Sequence, residues 1–482
     1  MPSKKPKKKD KSTPARMLVE NIECLGIAIV MALVLKYFLI EAFKIPTGSM
    51  QPTIIGDAKI GIFDRVLVNK LSYLIGKPRR WDVVVFKYPL DLSKNYIKRL
   101  IGLPGEEIEI AGGEIYVRTR DGSGELGPSS IARKPASVRN SVMRRVFPGP
   151  VEGDVVSKFF EITGAEELAG TVRILSEEPA LLRTRRPVLD HYHHGYHLSW
   201  ISGPPQSLSL HAVGDLRISL EASLEAGGEL TLAIAESGRE HEAFLPVLAR
   251  GAPAGSAWLR SHVGGIGEEG GSGADPLEHR LEEVKLTGSE AHLVTFMNVD
   301  DTLILEIDGD EVGRLEYEGP KLDQNRKNEI RIQVSGSAGT ISEITVDRDN
   351  FYRAHENGGW GPSEPIRVPA DAFFVMGDNT QNSHDGRTWQ FGTFHYDGKE
   401  IEGNWFPQRR PDQDDANPLP LPGNKKLFRD KYGEPHELPA DLRVGPIRQE
   451  HFVRRDYLLG KAIAVFWPVP PFSRTLRWKL IR

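Results

Sequence analysis

Cysteine is all but missing from this chain. Cys24 is the single one, so no intrachain disulfide can form and stability has to come from packing. A charge of one sign is missing too. The formal net charge is -4, which leaves nothing global to mark a nucleic-acid partner. Long apolar runs are equally scarce: one stretch, Met17 to Phe43, reaches the roughly 20 mostly apolar residues that a bilayer span needs. What is plentiful is glycine (48) and proline (34), a balance that favours β structure and loops over helical bundles. With 482 residues and 39% hydrophobic content, two or three domains with proper cores are expected.

The first sixteen residues form a basic tail with Lys4, Lys5, Lys7, Lys8, Lys9, Lys11 and Arg16. Taken alone it reads as a solvated linker. Beside a span it reads as a cytoplasmic flank, which places everything after Ile45 outside. Residues 17–43 are expected to be a transmembrane helix, with Glu23 near one end and Lys36 snorkelling. A cleaved signal peptide and a buried soluble helix are the alternatives. The run is long for the first, and no small-x-small site follows it cleanly.

From Ile60 to Val117 the pattern is β. Arg65–Lys70, Trp81–Tyr88 and Tyr96–Gly102 read as strands, and Glu107–Val117 reads as a hairpin over Gly112-Gly113. These residues, 44–117, form a first β segment. Residues 118–367 change character and read as an insertion with a loop-like lead-in. Its two-residue alternation at Leu216/Ile218/Leu220, Leu230/Leu232/Ile234, Leu303/Leu305/Ile307 and Ile330/Ile332/Val334 predicts a β-sandwich of jelly-roll type. It resembles concanavalin-like and laminin-G-like sandwiches in strand pattern only. The stretch Asp190 to His197 holds four histidines, His191, His193, His194 and His197. Alternate histidines read better as half-exposed sheet residues than as a metal centre, which would need further ligands. Gly264 to Asp275 reads as a flexible connection. Residues 368–389 return as strand plus loop. Residues 390–450 are a second, polar and proline-rich insertion, and 451–482 hold a closing strand.

Ser49 lies in a bend crowded by Pro46, Gly48 and Pro52, so it cannot simply continue a helix. Such a bend fixes a serine hydroxyl, and Thr47 with neighbouring backbone N–H groups could converge on an oxyanion. Lys98 lies between Tyr96, Ile97, Leu100 and Ile101 on a predicted strand, with Arg99 on the opposite face. A lysine acts as a general base only when neutral. Moving it from its ordinary pKa near 10.4 to about 7–8 takes about 4 kcal/mol, which desolvation can supply. A lysine facing water would be an ordinary cation.

Four stretches then act together: Ile45–Thr53, Asp64–Lys70, Tyr96–Glu106 and Gly377–Arg387. In this order behind one apolar segment they resemble the boxes of the type I signal peptidases. The resemblance covers roughly residues 17–117, 368–387 and 452–467 and neither insertion. It implies that Ser49 is the nucleophile and Lys98 the general base. The Ser49 N–H and the Thr47 hydroxyl would form the oxyanion hole; many family members carry serine where Thr47 stands. Ser383 would orient the lysine. Asp378 with Arg99, and Asp385 with Arg387, would be structural ion pairs, while Ile45 and Ile97 would line pockets for small side chains. His384 is given no role. The resemblance further implies no metal or cofactor, preproteins bearing signal peptides as substrates, cleavage after Ala-x-Ala-like sites, and a single-pass inner-membrane location.

Two other readings stand beside it. One is a membrane-tethered binding protein with an inactive scaffold, whose sandwich takes a glycan or envelope partner. The other is a soluble self-cleaving Ser/Lys protease, against which the apolar segment argues. The fold expected is mainly β: an N-terminal transmembrane helix, a signal-peptidase-type catalytic domain and an inserted sandwich.

Overall fold

The computed structural model describes residues 14–482 apart from 35, 37–38, 58–60, 121, 123, 150–154, 176–177, 192–209, 237, 254, 264–275, 283, 285, 320–326, 355–364, 407–416 and 469–477. The basic tail up to residue 13, His193, His194 and His197, and the glycine-rich loop at 264–275 lie outside these residues.

The first helix is Pro14–Val34. Among the described residues, no helix is long and apolar enough to cross a membrane. The expected helix over 17–43 also ends early, because Ile40–Lys44 is a strand paired antiparallel with Arg65–Asn69. Sheet pairing wins there: Glu41 and Lys44 interrupt the apolar run, and Glu41 is tied to Lys70 across the pair at 2.8 Å.

The part expected to be catalytic is an antiparallel sheet assembled from distant pieces. Its order is Ile40–Lys44, Arg65–Asn69, Leu458–Trp467, Val83–Tyr88, Asp91–Gly102, Ala372–Met376 and Phe452–Arg454. Lys479–Leu480 adds to Leu458–Trp467. The strand Asp91–Gly102 is therefore central, paired with Val83–Tyr88 on one side and Ala372–Met376 on the other. Its last six residues, Ile97 to Gly102, are all buried, which is unusual for a run containing Lys98 and Arg99. A smaller four-stranded sheet joins Ile366–Arg367, Glu107–Ala111, Glu114–Arg118 and Ser130–Ile131. Two of its strands lie at the edges of the first insertion, so the insertion is stitched to the catalytic part at both ends.

The first insertion is a sandwich of two eight-stranded sheets. One is built around Gly339–Arg348 and Leu216–Leu224, the other around Asn328–Ser335 and Glu229–Glu236. Alternating residues from both, among them Leu216, Ile218, Leu220, Leu230, Leu232, Ile234, Ile330 and Ile332, form one apolar core. The lead-in is more ordered than its composition suggests. It holds the helix Ala136–Val142 and the strand Arg144–Phe147, which pairs onto Gly339–Arg348. The second insertion is likewise regular: two three-stranded sheets close over Phe394, Ile401, Phe428 and Leu438.

Where the small sheet meets the sandwich, charges are buried. Lys134 pairs with Asp300 and, at 2.8 Å, with Asp349. Glu114 and Asp215 lie beside them, and carboxylate oxygens of Glu114, Asp215 and Asp300 fall within 4.8 Å of one another. Burial, with Glu114 and Asp300 adding to it, pushes the Asp215 carboxyl well above its ordinary range.

Candidate active site

The serine bend is held by its own apolar residues and by its neighbours' backbone. Met50 and Ile54 are fully buried and share a cluster with Ile45, Val66, Val83 and Ile97. The Gln51 N–H donates to Gly48 O at 3.1 Å and the Ile54 N–H to Met50 O at 2.9 Å. Gly56 lies so close to this bend that a Cβ would sit 2.4 Å from Ile45 O, so only glycine fits. On the other side Gly377 approaches Ser49: a Cβ there would lie 2.3 Å from Ser49 O.

Lys98 reaches the bend from the central strand, opposite Val84. Its Nζ lies 2.6 Å from Ser49 Oγ. Both side chains are buried, at 4% exposure for Lys98 and 6% for Ser49, and the ammonium position is 5.4 Å from the Tyr96 ring centre. Burial of this degree disfavours the charged form of an amine.

Arg99, on the opposite face, is fully buried. Its Nε and Nη2 donate to the two carboxylate oxygens of Asp378 at 2.6 and 2.7 Å. Burial alone would raise the Asp378 carboxyl, but the Arg99 charge and these hydrogen bonds outweigh it and hold it below the usual range. Asp378 also accepts from Thr53 Oγ1 at 2.5 Å. One carboxylate thus ties the end of the serine bend to the strand that carries Lys98. Asn379 adds two more ties, from its N–H to Ser49 O and from Nδ2 to Gly48 O, both at 3.1 Å. Thr53 and Asn379 fall inside the recognisable boxes, but nothing in the sequence says what they touch.

Asp385 and Arg387 form the second bidentate pair, with both contacts at 2.8 Å. Here too burial raises the carboxyl, and Arg387 more than reverses it. Asp385 also accepts the Gly377 N–H at 2.9 Å, closing the loop 377–387 on itself. Ser383 is buried in this loop next to Asp385 and Gly377. The structure does not join it to Lys98: its Oγ has no well-aligned hydrogen bond.

A cleft of about 280 Å³ opens at the dyad. Ile45 and Ile97 line it as the sequence anticipates, together with Thr47, Ser49, Lys98, Phe43, Val85, Tyr96 and His384. The walls beyond the dyad are thus largely apolar. His384 is fixed there by Tyr88 and Thr388, each 3.0 Å from a ring nitrogen, and lies against Phe406 of the second insertion. This contact was not legible, because the loop and Phe406 are brought together only by the tertiary fold. Among the described residues, the carboxylate group Glu114, Asp215 and Asp300 is the one cluster with metal-ligand proximity, and it lies at the sandwich junction rather than in the cleft.

A buried hydroxyl in contact with a buried amine, at the wall of an apolar cleft, is an arrangement that can serve as a nucleophile and its base. The model of the family "Signal peptidase, peptidase S26" matches residues 18–141 and 300–405. Signal peptidase I of Leptolyngbya laminosa is 38% identical over 108 residues, 21% of this chain and 50% of that protein. Signal peptidase I of Pseudomonas fluorescens is 42% identical over 104 residues, covering 19% and 34%. Probable signal peptidase I-2 of Synechocystis sp. is 36% identical over 135 residues, covering 27% and 57%. These matches make the chain similar to the signal peptidases, with extra β structure between the two stretches that the family model matches. It spans between about a third and three-fifths of the length of these relatives. Among solved structures, the carbohydrate binding module CBM66 from Bacillus subtilis is 8% identical over 39% of this chain and 95% of its own, with a TM-score of 0.25. A likeness that weak carries nothing about ligands.

Proposed function

We propose that the chain is a membrane-anchored signal peptidase that removes N-terminal signal peptides from exported preproteins after small residues. The observation that carries this reading is the 2.6 Å approach of Lys98 Nζ to Ser49 Oγ, with both side chains buried at the wall of the cleft. Neutral Lys98 takes the Ser49 proton as Oγ attacks the scissile carbonyl. The oxyanion is met by the Ser49 N–H and the Thr47 hydroxyl. The protonated lysine gives its proton to the leaving amine, and an acyl-enzyme remains on Ser49. Lys98 then activates the water that releases the acid. Ser383, buried in the loop 377–387 and directed at Asp385, turns to steady the lysine. Ile45 and Ile97 leave room for alanine-sized side chains and exclude bulk, which gives Ala-x-Ala-like selection.

The anchor is the helix Pro14–Val34. Leu18, Ile22, Leu25, Ile27, Met31 and Leu33 are each more than half exposed. Apolar side chains exposed around a helix need a cover that the other described residues do not provide, and a bilayer supplies one. The lysine-rich tail then stays on the cytoplasmic side and the cleft faces outward.

The test is cleavage of a preprotein in detergent by the wild type, Ser49→Ala and Lys98→Ala. The wild type is expected to cleave and both variants to be inactive. Cleavage at wild-type rate by the two variants would reject the reading.

A further inference from the structure

Arg144 does not belong to the catalytic segments. It opens the strand Arg144–Phe147, which the insertion pairs onto Gly339–Arg348 with Arg144 opposite Arg348. Yet its side chain points back into the catalytic part and is buried at 4% exposure. One nitrogen, Nη2, donates to two backbone carbonyls: Gln51 O at 3.3 Å and Asp378 O. Gln51 is two residues after Ser49. Asp378 holds Arg99, the neighbour of Lys98, and Thr53 at the end of the serine bend. The next residue, Asn379, holds Ser49 O and Gly48 O. A single guanidinium from the insertion therefore clamps the bend that carries the nucleophile to the loop that orders the lysine strand.

The surroundings argue against a plain stabilising role. Arg144 and Arg348 line the same small cavity, with Asp190, Asn379, Thr380 and Gln381. Burial, then the Arg144 charge, pushes Arg348 down to about 9. Arg144 Nε has no hydrogen-bond partner among the described residues. A buried cation facing another, with part of its donor capacity idle, costs free energy. What the residue gives in return is the position of two carbonyls.

We propose that Arg144 is a positioning residue for the Ser49–Lys98 pair, so that the insertion is a working part of the peptidase site. The inference rests on the signal-peptidase reading for its kinetic consequence, though not for its structural one. A displacement of about 1 Å at a reacting pair can cost roughly 100-fold in rate. Arg144→Gln keeps an NH2 donor, but its shorter side chain cannot reach the two carbonyls. Its kcat is expected to fall about 10- to 100-fold with KM within about twofold, and its Tm to stay within a few degrees of wild type. Arg144→Lys, which can still donate to both oxygens, is expected to recover most of the loss.

A second arm needs no turnover. In a Ser49→Ala background, hydrogen exchange at the Gln51, Ile54 and Asn379 amides is expected to quicken roughly tenfold on Arg144→Gln, with the sandwich amides unchanged. Unaltered exchange at those three amides would overturn the proposal, as would wild-type kcat in Arg144→Gln. So would a kcat loss that appears only with a matching fall in Tm. Should the wild type cleave no preprotein, the signal-peptidase reading fails while the exchange arm still decides the role of Arg144.

Discussion

In the sandwich, Leu216, Ile218 and Leu220 of one sheet share a single apolar core with Leu230, Leu232 and Ile234 of the other. In the catalytic sheet the apolar residues fall into separate smaller clusters, and the space between them holds Lys98, Arg99, Asp378, Asp385 and Arg387, all buried. The first region is held by non-directional burial, which tolerates many equivalent side chains. The second is held by paired charges and hydrogen bonds that act at fixed distances. Such ties are costly to leave half-made, but they fix where each group points. A reaction centre needs the second kind of order, and the price in robustness falls on the region that carries it.

The comparison can be broken in four places. The largest effect is expected at Ser49→Ala, which should lower preprotein cleavage roughly 10⁴-fold or more while leaving the thermal transition in place. A coupled loss of the transition would mean that the serine serves the fold.

Next is Asp378→Ala, which leaves Arg99 buried without its partner. It should destabilise the catalytic part by about 3–5 kcal/mol in urea unfolding. A cost below about 1 kcal/mol would show that this pair does not hold the site.

In the sandwich, Leu232→Ala should cost about 2–4 kcal/mol through the cavity it opens. Any effect on cleavage should then follow the fraction folded. A loss of kcat in the fully folded protein would mean that core packing reaches the cleft.

The smallest effects concern pH and have opposite signs in the two regions. Asp378 and Asp385 are held low, so their stabilisation is present above their unfolded pKa of about 4 and fades as pH falls through the lower folded values. At the sandwich junction Asp215 is held high. Its contribution is full below about pH 4 and is lost as pH rises through its folded pKa. Asp215→Asn keeps a neutral side chain that can still accept the Asp300 N–H. It should flatten the decline of Tm on the alkaline side and leave the acid limb alone. An unchanged alkaline limb would remove Asp215 from the account.

The two regions were also legible to different degrees. Two-residue alternation gave the sandwich strands their place, because each buries one face and shows the other to water. It gave no function, since alternation records burial and not chemistry. In the catalytic part the boxes around Ser49, Lys98 and Asp378 were recognisable as sequence. The end of the first helix was not, because Ile40 to Lys44 reads as apolar helix until Arg65–Asn69 pairs with it. The regular strands of 390–450 were hidden by proline and polar composition. Arg144 carries no local signal at all: one arginine in a lead-in becomes informative only when folding brings Gln51 and Asp378 to it.

The Thr53 hydroxyl meets its carboxylate 325 residues further along the chain. Until synthesis has passed that point, the serine bend exists without the loop that seats it. A chain released early, or cut within the sandwich and separated, would keep its serine and lysine but lose the frame that aims one at the other. The seating of Ser49 against Lys98 therefore waits on residue 378 and on the loop that follows it.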